Sequence, residues 1–336
     1  MNAATNTSAE KENGLDRIKV GIIGAGHLGR YHAQQYAQIP GAELIGVMDS
    51  DPAKAETVAA ECQCRVFAEL DRLLEAVEAV SVAVPTDRHG EVCRRVLEKD
   101  VHCLVEKPIT KTVAEADTLT SLAKSRRCIL HVGHVERYNP AVLGLGGFAF
   151  NPGFIEAHRL APFNLRGTEV AVILDLMIHD IDLVLHFVGS PVERVDASGV
   201  AVVSDSVDIA NARIRFRNGC VANLTASRIS QKKMRKMRLF QKDAYISIDF
   251  LQKQSEVYRL EAAGEGADMV LGEIGAGENK KVVVYRRPDA PDVNSLKIEL
   301  ETFLRAVRGE AVHAVTGEEG RHALAVAMDI LHKMEA

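Results

Sequence analysis

Twelve residues near the amino terminus, Ile18-Lys19-Val20-Gly21-Ile22-Ile23-Gly24-Ala25-Gly26-His27-Leu28-Gly29, restrict the fold more than any other stretch. An apolar run breaks there into Gly-x-Gly-x-x-Gly and then turns amphipathic, which predicts a buried strand, a tight turn and a helix start. Gly24 allows the turn, Gly26 lets the backbone approach a diphosphate with no Cβ in the way, and Gly29 lets the helix sit close to the strand. The free N–H groups and dipole at such a helix start attract phosphates. Ala42 to Asp49 reads as a second strand and ends in an acid twenty residues beyond Gly29. Asp49 is thereby placed to accept hydrogen bonds from adenosine ribose hydroxyls. Ser50 follows it, not an arginine that would pair with a 2′-phosphate, so NAD is favoured over NADP. The simpler alternative, a plain βαβ unit with a Gly-rich turn, fits poorly once strand, spacing, helix and acid all occur together.

A chain of 336 residues with 47% hydrophobic content predicts two domains, each with its own core. The net charge of −5 supplies no basic field for nucleic acid. No apolar run approaches the length of a membrane span. Residues 1–16 are polar, without the apolar centre of a secretory signal, and read as a disordered tail; cytoplasm is the expected location. Six cysteines are scattered without a Cys-x-x-Cys pair, so neither a disulfide framework nor a bound metal is expected.

From Lys19 to Gly133 strand and helix patterns alternate, which predicts a doubly wound parallel sheet, a Rossmann domain over residues 17–137. Ala79 to Val84 is the kind of continuous apolar strand that such a sheet buries on both faces. Ligands of these sheets bind off the carboxyl ends of the strands, so Gly24 to Gly29, Asp49, Pro85, Lys107 and His134 are expected to face one crevice. After Tyr138-Asn139-Pro140 the texture changes. Segments with period-two or β-branched character, from Phe154–Leu160 to Lys281–Arg286, predict a large, mostly antiparallel open sheet in an α/β domain of residues 138–336. One helix, Ala171 to Val188, interrupts it. Two more, about 295–308 and 318–334, close the chain, the last with the option of packing on the first domain. Val192 to Val203 reads as one strand, and Ala262 to Lys281, rich in glycine, as a mobile loop.

A dinucleotide site beside a second domain suggests hydride transfer, which needs a base for the alcohol proton and a cation or donor to hold the oxygen. Lys107, in Glu106-Lys107-Pro108, follows a buried strand that aims its ammonium toward the crevice. Asp175 and His179 stand at i and i+4, one above the other on a helix face. An imidazole titrates near working pH, and a nearby carboxylate orients it or raises its basicity. The simpler readings are a solvated charge at a strand end for Lys107 and a core histidine bonded to backbone for His179.

Gly24-Ala25-Gly26-His27-Leu28-Gly29, Pro85-Thr86 with His89, Glu106-Lys107-Pro108 and Asp175-x-x-x-His179 together resemble the successive motifs of the Gfo/Idh/MocA oxidoreductases, across roughly residues 18–334. The resemblance implies an NAD-binding Rossmann domain plus an α/β domain whose open sheet commonly builds homodimers or homotetramers. It gives Lys107, Asp175 and His179 the catalytic positions, His179 as base and Lys107 holding the reacting hydroxyl. It also implies that NAD is held by Gly24, Gly26, His27, Leu28, Gly29, Asp49, Pro85, Thr86, His89, Glu106 and Lys107.

Within the family, His134 to Pro140, His158 to Phe163, Asp175 to Asp182 and the basic segment Arg228 to Arg238 are most similar to members that oxidise the 3-hydroxyl of UDP-N-acetylglucosamine. Their 3-keto product is converted by a PLP aminotransferase into the 3-amino sugar of lipid A. That likeness implies a nucleotide-sugar substrate held by Lys107, Arg137, Tyr138, Asn139, Arg159, Arg166, Asp175, His179 and Arg228. Arg137, Arg159, Arg166 and Arg228 carry guanidinium forks suited to a diphosphate. The plainer reading gives these arginines to a solvated or intersubunit surface. Rival functions are a dehydrogenase of another nucleotide sugar, a free sugar or inositol on the same scaffold, and a regulator that binds NAD without turnover.

Overall fold

The computed structural model describes residues 17–163, 170–262, 269–276 and 280–335. The expected tail at 1–16, Arg166 and parts of the expected loop at 262–281 lie outside the described residues. The chain divides into two compact units: residues up to Val135 with Asn294–Arg321, and Glu136–Val293 with the residues from His322 onward.

The first unit is built on six parallel strands, β1 (Ile18–Ile23), β2 (Ala42–Met48), β3 (Arg65–Val66), β4 (Ala79–Val82), β5 (His102–Glu106) and β6 (Leu130–Gly133), in the order β3-β2-β1-β4-β5-β6. Between them run helices α1 (His27–Tyr36), α2 (Pro52–Cys62), α3 (Leu70–Leu74), α4 (Thr86–Glu98) and α5 (Val113–Arg126). The order reverses beside β1, the switch point where such sheets open a crevice at the carboxyl ends of their strands. All four residues of β4 are buried, as its unbroken apolar character predicts. Local chemistry sets the helix starts. Asp51 accepts from the Ala53 amide with Pro52 as first helical residue, and Thr112 with Glu115 forms a reciprocal capping box. α1 differs, because Gly26 stands at its N-cap and no side chain caps it.

The second unit begins with α6 (Pro140–Leu143) and holds a nine-stranded sheet, β7 (Pro152–Leu160), β8 (Val192–Val200), β9 (Ile209–Phe216), β10 (Val221–Ser227), β11 (Met234–Gln241), β12 (Ala244–Asp249), β13 (Gln254–Ala262), β14 (Met269–Ile274) and β15 (Lys281–Arg286). Its order is β14-β15-β13-β12-β11-β7-β10-β9-β8, antiparallel except where β10 runs parallel to β7. Alternation along the strands gives the sheet two different faces. Ile155, Ala157, Leu224, Leu239 and Ile248 point into a core shared with Ile181, Val184 and Phe187 of α7 (Ile178–Val188). The other face carries Phe154, Phe240, Tyr245, Tyr258 and Tyr285 in one row across five strands, with successive ring centroids 5.8, 5.0, 5.5 and 5.1 Å apart.

Six expectations change. The division falls after Val135 rather than Arg137. α8 (Ser295–Val307), expected in the second domain, buries Leu300, Phe303 and Leu304 in the first unit's core with Tyr36 and Val47. α9 (Gly317–Glu335) starts among first-unit residues, but from His322 its Ala323, Ala327 and Ile330 belong to the second core. The glycine-rich stretch after Ala262 contains a strand, β14, paired antiparallel with β15, because β15 leaves an open edge whose backbone groups take a partner regardless of composition. The strand at Val192 stops at Val200, where the carboxylate of Asp208 gathers the amides of Val202, Val203 and Ser204 out of the ladder. The helix expected from Ala171 begins instead with a π-turn, Ile173–Met177, before α7.

Candidate active site

In the first unit the Gly-rich turn forms one wall of a cleft of about 670 Å³ that Gly24, Gly26, His27, Leu28, Asp49 and Pro85 help to line. Gly24 has φ +96°, and a Cβ there would meet the Ala83 carbonyl oxygen at 2.6 Å. A Cβ on Gly29 would stand 1.7 Å from the Gly24 oxygen, so only glycine lets α1 start this close to β1. At Gly26 an added Cβ would meet nothing within 4 Å, leaving the space in front of the uncapped helix start open. That open cradle, backed by the first amides of α1, fits a dinucleotide diphosphate. Asp49 accepts from the Ala25 amide at 2.6 Å through one carboxylate oxygen and from the Asp51 amide at 2.8 Å through the other. It therefore orders the turn while keeping lone pairs for ribose hydroxyls. His27 is exposed and its ring packs edge-on against Tyr31, centroids 4.8 Å apart.

Two expected cofactor contacts bond within the protein. His89 is buried at the foot of α4 with Nδ1 2.8 Å from the Pro108 carbonyl oxygen and Nε2 2.9 Å from that of Val84. It ties the strand end at Val84 to the turn after Lys107 instead of facing the cleft. Glu106 is buried as well, with Oε1 2.8 Å from His32 Nε2 and Oε2 accepting from the Lys107 amide at 3.3 Å. Burial pushes its carboxyl up, and the hydrogen bond and charge of His32, joined by Lys107, more than offset this, so it sits below the ordinary glutamate range. His134, expected at the crevice, is buried just past β6. Thr86 opens α4, and Lys107 is half-buried directly after β5. Sequence reasoning missed Lys54, Arg88 and Arg95, which line the same cleft. Arg88 and Arg95 lie seven residues apart on one helix, a spacing that puts them on one face.

In the second unit, three of the arginines expected to grip a diphosphate, Arg137, Arg159 and Arg228, are engaged with protein groups. Arg159 is 2% exposed; Nε and Nη2 donate to the two Asp180 oxygens at 2.9 and 2.8 Å, and Nη1 to Glu136 at 2.8 Å. Burial works against its charge, but Asp180 and then Glu136 more than compensate, so the guanidinium is held protonated. Arg137 grips Asp182 with two bonds of 2.8 Å and reaches His186 Nδ1 at 2.9 Å. Arg228 is buried against Asp208 and two backbone carbonyls. Asn139 caps α6 and donates to Glu136 and the Phe250 carbonyl, with Tyr138 buried beside it in sequence. The signal for these pairs was Asp180 and Asp182 inside the apolar Ile178–Val188 helix: acids buried there require cationic partners. Asp175, on the π-turn, and His179, in the first turn of α7, are both half-buried. π-turns are frequent at functional sites.

A switch-point cleft with a diphosphate cradle and a ribose acid, and a second unit bearing an Asp-x-x-x-His turn on an open sheet, define a two-domain, dinucleotide-dependent oxidoreductase. Known proteins narrow the class. A family described as an oxidoreductase family with an NAD-binding Rossmann fold, GFO_IDH_MocA, matches residues 18–134, and the GFO/IDH/MocA C-terminal domain matches 159–247. UDP-N-acetylglucosamine 3-dehydrogenase of Acidithiobacillus ferrooxidans is 41% identical over 320 residues, 95% of this chain and 98% of its own. A solved structure of that enzyme, GnnA, superposes with a TM-score of 0.84 at 38% identity, covering 96% of this chain and 99% of the other. The NAD(+)-dependent scyllo-inositol 2-dehydrogenase of Bacillus subtilis is 27% identical over 64% of this chain and 68% of its own. The chain belongs to the Gfo/Idh/MocA oxidoreductase family.

The open cradle at Gly26 and the acid at Asp49 fit NAD and would hold its diphosphate and ribose. Bound NAD supplies the hydride acceptor.

Proposed function

We propose that this chain oxidises the 3-hydroxyl of UDP-N-acetylglucosamine to the 3-keto sugar with NAD. The observation that carries the reading is 41% identity to a UDP-N-acetylglucosamine 3-dehydrogenase over nearly the full length of both chains. Lys107 and the Asp175-x-x-x-His179 turn supply what the chemistry needs. His179 takes the hydroxyl proton, Asp175 supports the imidazole's basicity, and Lys107 holds the reacting oxygen. With Arg137, Arg159 and Arg228 engaged with acids and carbonyls, the exposed Lys232 and Lys233 of the basic segment are candidates for the diphosphate.

The same reading assigns the chain to the cytoplasm, where NAD and UDP-sugars are available. Among the described residues no helix is long and apolar enough to cross a membrane. It also assigns a PLP aminotransferase as the next enzyme, which draws an unfavourable oxidation forward by consuming the ketone. The half-exposed aromatic row of the nine-stranded sheet suits a second copy of the chain, and a homodimer or homotetramer through it belongs to the proposal.

The test is NADH absorbance with UDP-N-acetylglucosamine, other UDP-sugars, free N-acetylglucosamine and inositol. Turnover of the UDP-sugar, with free N-acetylglucosamine a very poor substrate, is expected, since binding energy from the remote nucleotide is what a truncated substrate loses. Ready turnover of inositol or a free hexose without the UDP-sugar would replace this reading with a polyol dehydrogenase.

A further inference from the structure

The π-turn Ile173–Met177 is an uncommon start for a helix, and the residues around Arg228 hold it from outside. A π-turn accommodates one residue more than an α-turn. Relaxing it to α geometry would rotate everything upstream by about 100° relative to the helix that follows. Asp175 lies inside the turn and His179 beyond it, so such a slip would change where the carboxylate stands relative to the imidazole. The turn persists only if its upstream end is fixed.

Three contacts fix it. Arg228 Nη2 donates to the Val170 carbonyl oxygen, three residues before the π-turn, and to that of Val207 at 3.2 Å. The same Val207 oxygen accepts from the Val172 amide at 3.4 Å. The guanidinium is itself aimed by Asp208, with Nε 3.6 Å from Oδ1, and the Arg228 amide donates to the Asp208 carbonyl at 3.0 Å. Asp208 is fully buried and anchored on its own loop: Oδ2 accepts from the amides of Val202, Val203 and Ser204 at 2.7, 2.7 and 3.1 Å, and Oδ1 from the Ser204 hydroxyl at 2.7 Å. A carboxylate gripped this way has no freedom to follow the arginine, so the arginine must follow it.

We propose that Arg228, aimed by Asp208, is a positioning residue that clamps the chain ahead of the π-turn and so sets the relative placement of Asp175 and His179. It rests on the proposed roles of those two side chains. It replaces the expectation that Arg228 binds the substrate diphosphate, and the two roles have opposite kinetic signatures.

The experiment compares Arg228→Ala, Arg228→Lys, Asp208→Asn and His179→Ala in the full chain with NAD and UDP-N-acetylglucosamine. A misplacement of about 1 Å costs on the order of 100-fold in rate. Arg228→Ala is therefore expected to lower kcat by roughly 10- to 100-fold, with KM for both substrates within about twofold of native. Arg228→Lys should recover part of the loss, because an ammonium replaces one carbonyl contact but not the planar fork. In the His179→Ala background, Arg228→Ala should add little, since both changes act through one group. Amide exchange in Arg228→Lys and Asp208→Asn should accelerate over residues 170–178 while the sheet stays protected, a readout independent of turnover and of whether the alanine variant folds. A raised KM for the nucleotide sugar at native kcat, fully multiplicative effects with His179→Ala, or unchanged exchange over 170–178 each overturns the clamp. Native turnover of His179→Ala sinks the base assignment instead, so the two failures are read separately.

Discussion

Asp49 accepts backbone amides through both of its oxygens, so it orders the Gly-rich turn, and its proposed second role is to accept from the ribose of NAD. Asp49→Ala should weaken NAD binding and narrow the preference over NADP, measured by titration with each dinucleotide; tighter native binding of NADP than NAD would contradict the assignment. His179→Ala should lower turnover by about 10²- to 10⁴-fold, the usual contribution of a placed base, with NAD affinity near native. Glu106 carries a pH dependence. Its folded carboxyl lies below the ordinary range, chiefly because His32 outweighs the burial that pushes it up. The stability it contributes is thus complete above the unfolded pKa and is lost as pH falls through the folded value. Melting temperature against pH should show a shallower acid limb in Glu106→Gln than in the native chain. Of these residues Asp49 was nominated from spacing alone, and it lines the cleft beside the Gly-rich turn. His89 and Glu106 were found by motif, but their bonds to Pro108, Val84, His32 and Lys107 were not foreseen, because sequence shows that a side chain sits near a crevice but not which way it turns.

Elements read well where one local signal governs them. The Asp51-Pro52 start of α2 and the continuous apolar β4 depend on nearest neighbours and formed as expected. β14 and the π-turn did not: β14 takes its place by pairing with the strand that follows it, against a composition that reads as loop, and the π-turn depends on Val207 and Arg228, which are distant in sequence. The α1 start gives a direct test of element packing. With its Cβ 1.7 Å from the Gly24 oxygen, Gly29→Ala must displace the helix from the strand. NAD affinity should fall roughly tenfold or more, about 1.4 kcal/mol, in a calorimetric titration. Native affinity would mean the diphosphate does not use this turn.

At the scale of the whole molecule, the aromatic row from Phe154 to Tyr285 runs along the sheet face opposite its core, and the proposed oligomer depends on it. Tyr245→Glu with Tyr258→Lys should reduce the mass in light scattering toward that of one chain, while a native-sized particle would move the interface elsewhere. The sequence by itself determined the parallel Rossmann sheet, the mostly antiparallel second sheet and the NAD-binding class, and it nominated Lys107 and Asp175-x-x-x-His179 as catalytic candidates. All of these rest on periodicity, turn chemistry and spacing, which are properties of neighbouring residues. Only the tertiary structure decided that Asn294–Arg321 belongs with the first unit and that Arg137, Arg159 and Arg228 serve carboxylates and carbonyls instead of a diphosphate. An arginine's charge is visible in sequence, but its partner is whichever acid the fold buries beside it. Asp180, Asp182 and Asp208 become buried only when the second core closes, and a buried carboxylate must then be neutralised or hydrogen-bonded where it stands.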